Sequence, residues 1–163
     1  MLKRYFAIAL ASAVTAAFVA GCATGSRPAS IADTLAAQAQ LSTLNSLVAK
    51  AGLTDTLKAG GPFTVFAPTN EAFAKVPATT LETLASDPAK LKAVLSYHVL
   101  PVKVMAADVK NGNSKTLNGA NVALSKAGNF VTVEEALVTT PDIGATNGVV
   151  HVVDSVLLPP ASR

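Results

Sequence analysis

The sequence predicts an α+β fold, and three observations carry that expectation. From Ser30 to Asp108 the apolar residues recur mainly at helical spacing. After Pro101 they fall into short strand-like runs separated by turns rich in Asn, Gly or Pro. No segment repeats, and helices gathered ahead of most strands is the order of an α+β chain rather than of alternating βαβ units.

Each element has its own signal. Ser30 with Asp33 three residues on is a capping-box-like start for a helix over Ile31–Ala39. Leu41, Leu44, Leu47, Val48 and Ala51 line one face of a second helix that ends at Gly52. Leu53 to Lys58 adds a helical turn before Gly60-Gly61-Pro62 breaks it. Phe63-Thr64-Val65-Phe66 is a short buried strand stopped by Pro68, and Thr69 or Asn70 caps a brief helix through Phe73. Thr80–Ala85 is a further turn or two. Asp87-Pro88 sets an N-cap and a first-turn proline ahead of Ala89–His98, with Leu91, Val94 and Leu95 on one face.

Strand-like runs follow at Val122–Leu124, Phe130–Val133, Ala136–Val138 and Val149–Leu158. Asn118-Gly119 and Asn147-Gly148 are turn dipeptides, the second expected to supply a positive φ ahead of the last strand. That strand, VVHVVDSVLL, is apolar on both alternating faces apart from His151, Asp154 and Ser155. It reads as central and covered on both sides.

Residues 1–21 are read as a different kind of segment. Lys3 and Arg4 precede an uncharged run from Tyr5 to Val19, and Ala20-Gly21 leads to Cys22, the pattern of a secretory signal. The run is short for a membrane span. Val19-Ala20-Gly21-Cys22 resembles the bacterial lipobox, so Cys22 is expected to be lipidated after cleavage and to anchor the chain to a membrane. That resemblance, with Ala23 after the cysteine, implies an exported protein in the cell envelope, at the outer membrane on its periplasmic or surface face. Residues 22–29 read as a lipidated cysteine and flexible tether, 30–159 as one domain and 160–163 as a tail.

Composition removes several function classes. The chain has 163 residues, half of them hydrophobic and only 14% charged, which excludes intrinsic disorder. A single cysteine makes neither an internal disulfide nor a cysteine-rich zinc module. The formal charge of +3 includes Lys3 and Arg4; without residues 1–21 the chain holds 11 basic and 10 acidic side chains, a net +1. Such a balance gives no clustered basic face for nucleic acid.

Three segments then identify a family. GGPFTVFAPTNEAF (Gly60–Phe73), LSYHVLP (Leu95–Pro101) and TNGVVHVVDSVLLP (Thr146–Pro159) resemble, in order and with about the right spacing, the first signature, the central Tyr-His segment and the second signature of the fasciclin domain. LKAVL, AADV, KTLNG and PDIGATNG fit between them, so the resemblance covers Ser30–Pro159. It implies a seven-stranded wedge of two near-orthogonal β-sheets with several flanking helices. It also implies a non-enzymatic role in adhesion or matrix contact, toward a surface protein or polysaccharide of unknown identity. Some fasciclin-like proteins bind pigments or lipids, so the alternative is a carrier of an apolar small molecule.

The residues offer little catalytic chemistry. His98 and His151 are the only histidines and lack the further ligands, at suitable spacing, that a metal needs, so no metal or cofactor is expected. On one strand His151 and Ser155 point away from Asp154, and there is no G-x-S-x-G elbow, so a Ser-His-Asp site is not expected. Gly60-Gly61 lacks the Gly-Lys-Ser/Thr of a phosphate loop. Glu134-Glu135 reads as a solvated strand edge, and Lys90, Lys92 and Lys103 as solvated helix and loop ends. Tyr97-His98 is left as a partner-binding candidate, because this segment of animal fasciclin domains is implicated in integrin recognition. Its competing reading is a helix terminus buried in the domain, with His98 aided by the helix dipole.

Overall fold

The last strand organises the molecule. A computed structural model describes residues 29–159. The leader, Cys22, nearly all of the tether and the C-terminal tail lie outside them.

Strand β7 (Gly148–Val153) is buried at every position and lies between β1 (Phe63–Pro68) and β6 (Ala136–Ala145). It runs parallel to β1, with Phe63 opposite Gly148 and Pro68 opposite Val153, and antiparallel to β6. Its central position matches the expectation, but it ends at Val153, and Asp154–Leu158 leaves the sheet. Asp154 Oδ1 accepts from Leu137 N–H at 2.9 Å as the chain departs.

The helices precede most of the strands: α1 (Ile31–Ala37), a 3₁₀ turn (Ala39–Leu41), α2 (Ser42–Lys50), α3 (Thr54–Ala59), α4 (Asn70–Ala74), α5 (Ala78–Ser86) and α6 (Pro88–Tyr97). Ser30 and Asp33 form the reciprocal capping box. Asp87 Oδ1 accepts from Ala89 and Lys90 N–H ahead of Pro88. Thr69 is the cap of α4, its Oγ1 accepting from Ala72 N–H at 3.1 Å. Asn70 instead ties α4 to the start of α2, accepting from Thr43 N–H at 3.0 Å and donating to Ala39 O at 3.1 Å.

Two short strands lie outside the expected set, β2 (Val99–Leu100) and β3 (Gly112–Lys115). With β4 (Asn121–Ala127) and β5 (Phe130–Val133) they complete the order β2-β1-β7-β6-β5-β4-β3. Strand β6 joins two halves. Ala136 and Leu137 pair with β5, while Val138 to Ala145 pair with β7 through two shifts of register. Asp142 sits in that irregular stretch with φ 57°, and the bend lets β6 serve both halves of the wedge.

The strand pair β1/β7 has a core on each side. Val65, Ala67, Val150 and Val152 pack under the helices with Leu35, Leu44 and Leu95. Phe66 and Val153 face Leu100, Val122, Val133 and Val138 in the other core. The outward carbonyl of β2 is also covered: Leu117 N–H donates to Val99 O at 2.7 Å, and Asn118 N–H to Ser96 O at 3.3 Å. The segment after β3 thereby returns to the opposite end of the strand order.

Candidate functional site

Helix α6 delivers Tyr97 and His98 to different cores. Tyr97 is 2% exposed, and its hydroxyl lies 3.0 Å from Asn121 O and 3.1 Å from Glu134 Oε1. Burial, then the hydrogen bond and charge of Glu134, push its phenol up to about 12, so it stays a neutral donor. Glu134 is exposed, as the sequence reading expects, but it is not on a strand edge. It occupies the turn between β5 and β6 with φ 55°, and the same carboxylate oxygen accepts from Ala123 N–H at 2.9 Å. Removing the hydroxyl in Tyr97→Phe is expected to cost about 1–2 kcal/mol in urea unfolding. Glu134→Gln, which keeps an acceptor, is expected to cost less.

His98 is equally enclosed, 2% exposed. Its Nδ1–H donates to Val94 O at 2.8 Å, and Nε2 accepts from Leu157 N–H at 3.0 Å. That pattern needs the neutral ring, and burial pulls its pKa down to about 4 despite the helix carbonyl that favours the cation. The helix dipole expected to aid His98 is therefore outweighed by desolvation. An unfolded histidine titrates near 6.5, so the folded state binds its proton less readily than the unfolded state does. This contribution is complete above pH 6.5 and lost as pH falls toward 4, about 3 kcal/mol in all. Urea titrations at several pH values are expected to show that loss, with a slope smaller by about one proton in His98→Gln.

His151 carries the opposite tautomer. Nε2–H donates to Val104 O at 2.9 Å and Nδ1 accepts from Asp142 N–H at 3.1 Å, while the ring stacks on Phe66 with centroids 5.7 Å apart. Its pKa too is lowered, mainly by burial. Both nitrogens of both histidines are thus committed to backbone. Ser155 lies beyond the end of β7, and no group of three or more potential metal ligands is found among the described residues.

The side chain that joins most elements is Asn147, in the two-residue turn between β6 and β7. Its Oδ1 accepts from Ile31 N–H at 2.9 Å, and its Nδ2 donates to Leu57 O and to Gly60 O. Its own carbonyl accepts from Phe63 N–H at 3.1 Å. One residue so fixes the start of α1, the end of α3 and the start of β1. Gly61, joined to Pro62 by a cis peptide, has φ 152°, and a Cβ there would meet the Asn147 carbonyl at 2.8 Å.

The family model for the Fasciclin domain matches residues 39–159 of this sequence. The chain belongs to the fasciclin domain family. Among relatives, protein sll1483 of Synechocystis sp. is 44% identical over 132 residues, spanning 80% of this chain and 73% of that one. The cell surface glycolipoprotein MPB83 of Mycobacterium bovis is 37% identical over 126 residues, 74% of this chain and 56% of that one. In three dimensions the chain is similar to a FAS1 domain pair from the insect cell adhesion molecule Fasciclin I. The TM-score is 0.67 at 18% identity, covering 80% of this chain and 51% of that one.

The three fasciclin segments meet in space. Gly60–Phe73 supplies β1, Leu95–Pro101 supplies the end of α6 and β2, and Thr146–Pro159 supplies β7 with its preceding turn. His98 links all three, since its carbonyl accepts from Phe66 N–H at 2.9 Å while its ring holds Leu157. Tyr97 and His98, the partner-binding candidates, are each only 2% exposed and serve as internal ties of the fasciclin domain. No local signal marks Asn147, Glu134 or Asn70 as a bonding centre. The Asn-Gly and Thr-Asn dipeptides point to two of them, and only as turn or cap residues.

Proposed function

We propose that this chain is a non-enzymatic cell-envelope protein whose fasciclin domain makes surface or matrix contacts, exported and held to a membrane through lipidated Cys22. The observation that carries the reading is membership of the fasciclin family over nearly the whole domain, joined to the lipobox-like Val19–Cys22. A relative named as a cell surface glycolipoprotein supports it. Both histidines are closed into backbone hydrogen bonds, which favours a binding role over a catalytic one.

The point where the chain joins the domain gives the reading a direction. Thr146 N–H donates to Ala29 O at 2.9 Å, so the chain comes in at the β6–β7 turn. Strand β7 then runs about 17 Å away from that turn. The Glu134–Glu135 turn and Leu158 therefore lie at the end of the domain opposite the point where the tether joins it. Individual contacts would be weak, and many copies on one membrane would supply strength.

A deletion strain is expected to attach to surfaces less well. Complementation with the native chain should restore attachment, and complementation with Cys22→Ser should not. Unchanged attachment in both the deletion and the Cys22→Ser strains would sink the proposal.

A further inference from the structure

An apolar cavity of about 130 Å³ lies between α2, α4, α5 and α6. Its lining is almost wholly apolar and includes Leu47, Phe73, Leu84, Val94 and Val156. The polar groups that reach it are Thr43 and His98, and both ring nitrogens of His98 are already bonded, to Val94 O and Leu157 N–H. Among the described residues no buried side-chain nitrogen or oxygen lacks a partner. A water molecule needs two to four polar partners and would find almost none against this wall, so the space favours an apolar occupant.

We infer that this cavity is a binding site for a compact apolar molecule of about benzene size. The size argument is direct, because a dry cavity of about 150 Å³ lined by aliphatic and aromatic side chains takes benzene or xenon. A polyene pigment or a whole acyl chain is several times too large, so the site differs from the pigment or lipid carriage considered from the family resemblance. An occupant restores the dispersion contacts that the unfilled wall lacks. It would therefore stabilise the fold. The inference is independent of the surface-contact reading.

Access is through α5. This helix has no fully buried residue and rests on the cavity through the half-buried Leu81 and Leu84. Its N-cap is Pro77, which gives no side-chain bond, and Asp87 ends α5 while capping α6. Swinging α5 outward therefore exposes little core, and local opening is cheapest where few apolar contacts hold a segment.

The test uses the exported chain carrying Cys22→Ser, so that no acyl group competes, titrated with benzene while its Leu and Val methyl resonances are followed. Saturable shifts are expected at Leu84, Val94 and Val156, with a rise in melting temperature. Leu47→Phe, which fills the space from α2, is expected to weaken benzene binding at least tenfold. Should that variant fail to fold, Val94→Leu provides a milder filling with the same expected direction. Palmitate is expected to leave these methyls unmoved. The inference is overturned by shifts that do not saturate, by equal binding in a folded filled variant, or by palmitate moving these methyls while benzene does not.

Discussion

Alanine at position 148 is expected to abolish stable folding, at a cost above about 4 kcal/mol. A Cβ there would lie 2.0 Å from the Phe63 carbonyl oxygen and 2.8 Å from Ile31 Cδ1. The first of these is backbone of the neighbouring parallel strand, so it cannot rotate out of the way as a flexible side chain would. Relief requires β1 and β7 to separate at the Phe63–Gly148 pair, which breaks the ladder between the two cores. Gly52 makes the control. It has φ 67° with open space around it, so Gly52→Ala carries only the left-handed backbone penalty of about 1 kcal/mol. Soluble yield and urea midpoints of the two variants give the comparison. Equal midpoints for Gly148→Ala and the native chain would show that the close approach is not required.

Asn147→Asp is expected to remove about 3 kcal/mol at neutral pH, with Asn147→Ala close behind. The native amide is oriented by its partners: oxygen toward Ile31 N–H, nitrogen toward the carbonyls of Leu57 and Gly60. An aspartate keeps the acceptor but turns a second oxygen onto two carbonyl oxygens, and alanine strands all three backbone groups. Each unsatisfied group costs about 1–3 kcal/mol where it is buried. The two variants separate at acid pH. A protonated aspartic acid can again donate to one carbonyl, so Asn147→Asp should recover stability relative to Asn147→Ala as pH falls. Parallel urea curves at neutral and acid pH read this directly, and an Asn147→Asp chain as stable as the native one would remove the clamp from the account.

The parts of this fold legible in the sequence are those whose cause is local. The Ser30–Asp33 box, the Asp87-Pro88 start and the doubly apolar β7 each carry their signal within a few residues, and all three are present. Strand β3 is GNSK and exposed along most of its length, so no apolar pattern could mark it; pairing with β4 alone makes it a strand. Strand β6 continues through Pro141, which lies in a register shift, and through Gly144, which pairs with Val149, whereas the residues by themselves read as a break.

Asn147-Gly148 shows where local reasoning fails. The turn is legible, but Gly148 does not supply a positive φ, and its necessity comes from a strand 85 positions earlier. Asn147 likewise acts on Ile31, Leu57 and Gly60, none of them near in sequence. Phe130, an aromatic that a core could absorb, is 67% exposed at the β4–β5 hairpin. The pair Tyr97-His98 stands out in the sequence as unusual, yet what it does is hidden there. Asn121, Glu134 and Leu157, which hold it, are all distant in the chain.

The bond from Leu117 to the outward carbonyl of Val99 has a consequence for crowded molecules. A strand with its outer acceptor occupied from within its own chain is a poor template for another chain's backbone. Copies concentrated at high density therefore cannot polymerise by stacking onto β2. Neighbours that meet this edge engage it through side chains rather than through a continued backbone ladder.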